Sequence, residues 1–141
     1  MKIENLLNTL FKKREIVNCD HDLYLIRWFV IRTERFAVFI HKFVRSDEDR
    51  ALHDHPWDFI VVPVWRGYIE HSELLSYPMH RRVYPVLGSR ARAATYRHRV
   101  ELIDGKPSWS LFFRFKRIRE WGFWLPEGFI KWNKWWQDKC E

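Results

Sequence analysis

The length and composition of the chain favour one folded domain spanning residues 1–141. Of its 141 residues, 47% are hydrophobic and 18% aromatic, and Gly and Pro are sparse, which excludes a disordered or low-complexity chain. The net charge of +7 indicates a positive surface that attracts anionic small molecules, nucleic acid or membrane phosphate. No stretch reaches the roughly 18 apolar residues of a membrane span, and the N-terminus lacks a secretory pattern.

The two cysteines, Cys19 and Cys140, lie near opposite ends of the chain. Two are too few for a disulfide scaffold, although the sequence leaves open whether they meet. We therefore expect a reducing, cytoplasmic location.

The first segment, residues 1–14, is predicted to be a short amphipathic helix. Its apolar residues recur with the helical period, at Ile3, Leu6, Leu7, Leu10 and Phe11. Basic residues follow this face, so a membrane-surface role stays open, but packing on the rest of the domain is the commoner use of such a helix.

The next segment, residues 22–125, has the character of an all-β domain. Runs rich in Val, Ile, Phe, Tyr and Trp are separated by turn signals at 33–35, at Gly67 and at Asp104-Gly105, and each signal predicts a hairpin. Short strands with almost no helix between them favour an antiparallel barrel or jelly roll. The predicted strands are 23–32, 36–45, 57–65, 68–74, 81–86, 92–103, 109–116 and 120–125.

The last segment, residues 126–141, is predicted to be a Trp-rich helix that caps the barrel. The spacing of Trp132, Trp135 and Trp136 puts their rings on one helical side. A stacking platform for bases or sugars is the alternative use of these rings.

His53, His55 and His98 form the candidate metal site. In a strand, side chains at i and i+2 point to the same face, so His53 and His55 can bind one ion, and His98 on another predicted strand supplies a third ligand. Three protein ligands with open positions describe a catalytic site. Tyr96 shares the face of His98 and is the candidate catalytic group that donates a hydrogen bond or a proton.

Four further polar residues are candidates for the surroundings of this site. Whether Asp58 or Glu70 joins it stays open. His41 alternates with two Phe residues along its strand and is expected to be a core histidine. Among the many Arg residues of the second half, Arg114 is the candidate to face a ligand, because guanidinium groups suit carboxylate or phosphate.

The histidine pattern resembles the cupin superfamily over residues 36–116. The first cupin motif is Gly, five residues, His-x-His, three or four residues, Glu, six residues, Gly, and a second motif supplies a later His. Here Gly67 falls at the closing Gly, whereas Ile60 occupies the Glu position and Asp47 the opening Gly. In the second motif Gly88 and His98 lie nearly at the expected separation, but the remaining positions differ: Ala93, Thr95 and Leu102.

The resemblance implies a small single-domain cupin-type jelly-roll β-barrel. Loss of the Glu ligand makes the site similar to the three-His site of thiol dioxygenases, which binds ferrous iron. It thus implies a metal-dependent enzyme of oxygenase type acting on a small anionic molecule, with Fe(II) favoured and Zn, Ni, Mn or Cu as other candidates.

Two other functions remain open from the sequence. One is a non-catalytic binding module for nucleic acid, a sugar nucleotide or a protein, suggested by the positive charge and the Trp-rich tail. The other is a metal-free sugar isomerase or epimerase, since cupins include such enzymes. A homodimer is also left open.

Overall fold

Strands dominate the computed structural model, which describes residues 2–47, 51–74 and 77–140. The helices are α1 (Ile3–Leu10) and α2 (Trp132–Cys140), and a 3-10 turn spans Ile103–Gly105. The strands are β1 (Lys13–Val17), β2 (Leu23–Arg32), β3 (Ala37–Phe43), β4 (Leu52–His53), β5 (Phe59–Trp65), β6 (Tyr68–Leu74), β7 (Tyr77–Tyr84), β8 (Arg90–Arg92), β9 (His98–Glu101), β10 (Ser108–Arg114), β11 (Gly122–Leu125) and β12 (Gly128–Lys131).

Antiparallel pairing assembles these strands into two six-stranded sheets. The first sheet has the order β1-β2-β3-β10-β5-β8, and the second has the order β12-β11-β4-β9-β6-β7. This architecture confirms the mostly-β prediction. Strand pairing within the described ranges does not join the two sheets, so their closure into one barrel stays a prediction.

The two sheets pack against each other through buried aromatic and aliphatic side chains. The first sheet contributes Phe39, Phe59 and Phe112, and the second contributes Tyr68 and Val100. The rings of Phe59 and Phe112 stack with their centroids 5.0 Å apart. Each such side chain stabilises the fold by about 1.5–3 kcal/mol through the apolar area it removes from water.

Helix α1 covers the outer face of the first sheet. Leu7 packs on Ile26 and Trp28, and the Trp28 indole Nε1 donates to Asn8 Oδ1 over 2.9 Å. The helix is shorter than the predicted segment 1–14, because Lys13 begins the edge strand β1 opposite Trp28. Helix propensity is overridden here by a sheet edge that offers backbone partners.

Helix α2 packs on the second sheet through one of its three Trp rings. Trp135 is buried and stacks on Phe123 with the ring centroids 4.6 Å apart, whereas Trp132 and Trp136 are exposed. No helix in the described part of the chain is long and apolar enough to cross a membrane.

A disulfide joins the end of α2 to the segment after β1. Cys140 is bonded to Cys19, which settles the pairing that the sequence left open. Disulfides persist mainly in oxidising compartments. The cytoplasmic location therefore stays a prediction.

Only one of the three predicted hairpins is a hairpin. Strands β2 and β3 pair directly, and the Thr33 backbone N–H donates to the Phe36 carbonyl at 2.8 Å in the turn. After β5 and after β9 the chain instead crosses from one sheet to the other. The prediction was wrong there because a turn signal indicates a chain reversal, not the sheet that receives the next strand.

The turn between β5 and β6 depends on Gly67. Gly67 has φ +58°, and a Cβ atom on it would lie 2.0 Å from the backbone oxygen of Tyr84. The backbone of β7 therefore approaches this residue too closely for any side chain.

Gly67→Ala is expected to lower the free energy of unfolding by at least about 2 kcal/mol, through the left-handed conformation and the steric overlap together. Gly105→Ala is the matched control, because Gly105 has φ +64° and a Cβ atom added there would meet nothing within 4 Å. The loss of unfolding free energy in Gly105→Ala should be about 1 kcal/mol. Urea unfolding of both variants measures the difference, and equal losses would contradict the steric argument.

Candidate metal centre

Three histidine side chains converge where the second sheet faces the first. His53 on β4 and His98 on β9 are direct neighbours across the strand pair, and His55 lies two residues further along the chain. One ring nitrogen from each residue lies within 4.8 Å of the other two. The structure thus brings together all three predicted ligands.

The spacing of the ring nitrogens suits a common ion. His55 Nε2 and His98 Nε2 lie 2.8 Å apart. Two nitrogens that bind one ion at about 2.1 Å, with angles of roughly 90–110°, lie about 3.0–3.4 Å apart. The contact between His55 and His98 is a hydrogen bond between the two rings, so binding one ion through both nitrogens requires its proton to leave and the rings to move apart by a few tenths of an ångström.

Burial favours the neutral, metal-binding form of His53 and His55. Burial lowers the pKa of His53 to about 4, although the nearby Asp47 opposes that shift. Burial and the neighbouring His98 also hold the pKa of His55 well below its usual value. Neutral imidazoles present nitrogen lone pairs, so the donor set fits a divalent transition metal.

Glu70 on β6 fixes the orientation of His98. Glu70 Oε2 lies 2.9 Å from His98 Nδ1, while Oε1 accepts from the Tyr96 hydroxyl at 2.6 Å and from Arg92 Nη2 at 3.1 Å. Burial alone would raise the pKa of Glu70, but these hydrogen bonds and the charge of Arg92 outweigh it and hold the pKa at about 2. The carboxylate therefore engages Nδ1 and leaves Nε2 for an ion.

Tyr96 and Asp58 are positioned differently with respect to the histidines. The Tyr96 ring lies 5.5 Å from the His98 ring, but its hydroxyl binds Glu70. Burial and that hydrogen bond raise the pKa of Tyr96 to about 12.

Asp58 is exposed, and its Oδ1 accepts from the Ala94 backbone N–H at 2.7 Å. Of the two carboxylates left open by the sequence, Glu70 is the one that contacts a clustered histidine.

Asp47 contributes a second carboxylate beside the histidines. Its Oδ2 lies 3.9 Å from His53 Nδ1 and accepts from the Val100 backbone N–H at 2.5 Å, and its Oδ1 accepts from the Tyr24 hydroxyl. The sequence placed Asp47 only at the position of a motif glycine. No local sequence pattern relates Asp47 to His53, because the two residues are brought together only by the strands of the folded sheet.

Asp54, between the two motif histidines, points away from them and anchors the adjoining strand. It is fully buried and accepts from Arg119 Nη1 at 2.6 Å and from both the Gly122 backbone N–H and Trp124 Nε1 at 2.9 Å. Strand β4 ends at His53, so Asp54 and His55 lie just beyond it, where the Asp54 backbone N–H donates to the Gly122 carbonyl and the His55 backbone N–H to the Ala94 carbonyl. The middle residue of the triplet holds β11 beside β4.

A cavity of about 340 Å³ adjoins His53. Its lining includes His53, Asp47 and Tyr24, together with Trp132, Trp135 and Trp136 of α2. Among the three clustered histidines, His53 therefore borders the cavity on the side of α2. The Trp-rich tail borders this cavity as well as capping the sheet.

The other candidate residues lie apart from the cluster. Arg114 donates to the backbone oxygens of Thr33 and Glu34 and lies over the Trp57 ring, at one end of the sheets. His41 is buried on β3, as predicted, and accepts a hydrogen bond from Arg27, but its Nδ1 has no partner among the described residues, so the predicted satisfied core histidine is confirmed only in its burial.

Solved structures with the same architecture include metal-containing enzymes. The Fe(II) form of HppE superimposes with a TM-score of 0.61 at 13% identity, covering 76% of this chain and 57% of HppE. DMSP lyase DddQ from Ruegeria pomeroyi gives 0.57 at 14% identity, covering 85% of this chain and 64% of DddQ. A cupin domain from Bordetella pertussis gives 0.50 at 19% identity, covering 66% of this chain and 94% of that domain.

These similarities establish the fold of the chain. No protein-family profile matches the sequence, and no curated protein matches it. The chain spans less than two thirds of the length of HppE and DddQ. This protein therefore has the cupin fold, with a three-histidine cluster between its two sheets.

Proposed function

We propose that this protein is a metal-dependent enzyme whose ion is held by His53, His55 and His98. The observation that carries the proposal is the convergence of three histidine ring nitrogens within 4.8 Å of one another. A carboxylate directed at His98 Nδ1 is a contact that metal-binding histidines commonly make through the nitrogen that does not bind the ion. Fe(II) is the favoured ion, since HppE neighbours carry Fe(II) or Co(II).

The proposed reaction is of oxygenase type, on a small anionic molecule. A bound ferrous ion would supply redox chemistry toward oxygen and leave positions for substrate. Aromatic rings surround the histidines: Phe59 lies 4.3 Å from the His55 ring, and Phe123 lies 6.1 Å from the His53 ring. A low-dielectric surrounding strengthens each polar interaction made there.

Tyr96 has a positioning role in this proposal. Its hydroxyl donates to Glu70, which in turn holds His98, so the phenol stabilises a ligand through one intermediate. The direct role predicted from the sequence, donation to a substrate, requires the hydroxyl to leave Glu70. Tyr96→Phe with the metal content and KM measured separately distinguishes the two roles.

Metal content of purified variants tests the site. The protein is loaded anaerobically with Fe(II), dialysed and analysed by mass spectrometry. We expect about one ion per wild-type chain and less than about a tenth of that in His98→Ala, because two remaining imidazoles hold a divalent ion weakly.

The matched control for this experiment is His21→Asn. His21 is exposed at φ +62°, a conformation that Asn tolerates, so this variant loses an imidazole without strain. It should bind as much metal as the wild type. Unchanged metal content in His98→Ala would overturn the three-His site, whereas a wild type that binds no metal would favour the metal-free isomerase alternative.

A further inference from the structure

Arg27 is a partly buried cation without an acidic partner among the described residues. It lies on β2 opposite His41 of β3, on the sheet face that carries the core residue Phe39. Its Nε donates to His41 Nε2 at 2.9 Å, and its guanidinium lies over Phe39, 4.7 Å from the ring centroid. Charges that face a protein interior are ordinarily paired, so an unpaired guanidinium at this position suggests an anion supplied from outside.

The arginine keeps its charge despite its surroundings. Burial, followed by the charges of Arg14 and Arg114, lowers the pKa of Arg27 to about 10. It is therefore still protonated at neutral pH. The same three guanidinium groups make this part of the first sheet positive.

His41 presents a second unpartnered donor. Its Nε2 accepts from Arg27, so in a neutral ring the proton resides on Nδ1. Burial, with the charge of Arg27, holds the pKa of His41 well below its usual value. Nδ1 is buried, with no hydrogen-bond partner within the described chain.

Ser110 adds a third donor beside His41. It lies directly opposite His41 in the pairing of β10 with β3, and only 1% of its surface is exposed. Its Oγ has no hydrogen-bond partner in the described ranges. An unsatisfied buried polar group costs about 1–3 kcal/mol, so two adjacent ones call for an explanation.

We propose that Arg27, His41 and Ser110 form a binding site for an oxyanion group, a carboxylate or a phosphonate. Guanidinium N–H, imidazole N–H and hydroxyl are all donors, and the ligand would supply the missing acceptor oxygens. The site itself requires no metal.

The position of this donor set relates it to the histidine cluster. The rings of His41 and His55 lie 4.9 Å and 6.4 Å from the ring of Phe112, on which both pack. A molecule anchored by its anionic end at Arg27 would extend past Phe112 toward the metal ligands. This orientation of a substrate rests on the proposed function, whereas anion binding does not.

Calorimetry on the metal-free protein tests the site. Methylphosphonate and acetate are titrated separately into wild type, Arg27→Gln and Ser110→Ala in chloride-free, low-salt buffer. We expect one anion per wild-type chain, about 10- to 100-fold weaker binding in Arg27→Gln and a smaller loss in Ser110→Ala. The tighter of the two anions identifies the preferred group.

Arg32→Gln is the matched control, since Arg32 ends the same strand, is exposed and carries the same charge. It should bind both anions as the wild type does. If Arg27→Gln fails to fold, as judged by circular dichroism, Ser110→Ala decides the question alone. Binding of neither anion to wild type, or equal losses in Arg32→Gln and the site variant, would overturn the proposal.

The metal content of the same variants separates this proposal from the proposed function. Arg27→Gln should retain its Fe(II) while losing anion affinity. A wild type that binds the anion but no metal would leave the oxyanion site standing and remove the metal enzyme. A wild type that binds metal but neither anion would remove the oxyanion site and leave the metal enzyme standing.

Discussion

Glu70→Gln is expected to weaken metal binding at the three-histidine cluster by about 10- to 100-fold. The amide has the same shape as the carboxylate, but it is neutral and one of its ends donates. It cannot satisfy His98 Nδ1, Tyr96 and Arg92 at the same time, as the carboxylate does. His98 would then lose the partner that fixes its tautomer and its ring orientation.

The same variant should also lose stability. Glu70 and His98 are almost fully buried, and removing one partner of a buried charged network typically costs about 3–5 kcal/mol. Competition of Zn(II) binding against a chelating dye measures the affinity, and thermal unfolding with and without metal measures the stability.

Glu101→Gln is the control for this prediction. Glu101 Oε2 lies 2.6 Å from His71 Nε2, so the variant removes a carboxylate–histidine contact that lies outside the cluster. Metal affinity should stay at the wild-type value in Glu101→Gln. Equal metal affinities in Glu70→Gln and wild type would show that the orientation of His98 does not depend on Glu70.

Asp54→Ala is expected to lower the free energy of unfolding by about 3–5 kcal/mol. The variant leaves Arg119, the Gly122 backbone N–H and Trp124 Nε1 without their shared acceptor. Because these donors lie on β11 and just before it, and α2 follows in the chain, the loss should loosen that side of the second sheet. Urea unfolding followed by Trp fluorescence is the measurement.

Asp22→Ala provides the comparison for that variant. Asp22 forms an ion pair with Arg45 at 3.1 Å, but both side chains are nearly half exposed. Such pairs contribute about 0–1 kcal/mol. A loss in Asp54→Ala no larger than the loss in Asp22→Ala would mean that the buried hydrogen bonds of Asp54 are replaced by water.

The sequence predicted where strands form better than it predicted which strands pair. Strand β2 has the predicted bounds, because residues 23–32 are continuously β-favouring. The ring nitrogens of the motif histidines do lie close together, but the predicted shared strand is wrong: β4 ends at His53, and His55 reaches the cluster from the segment after it. The turn at Gly67 was recognised, but its role in passing the chain between sheets depends on Tyr84, which is distant in sequence.

The contacts around the site likewise depend on strand pairing, which the sequence did not predict. Glu70 was one of two carboxylates left open, and only the pairing of β6 with β9 places it beside His98. Arg27 was not distinguished from the other arginines, because a basic residue within a strand is usually on its solvated face. An unpaired cation that faces the interior becomes visible only when the neighbouring strands are known.

The Cys19–Cys140 disulfide gives the chain the topology of a closed ring with two short tails. Both histidine-bearing strands, β4 and β9, lie within this ring. A crosslink over so long a loop removes roughly 5 kcal/mol of conformational entropy from the unfolded chain. A single backbone cut between the two cysteines, for example in a surface loop, therefore opens the circle without releasing a fragment, and the severed halves stay covalently joined until a thiol reductant separates them.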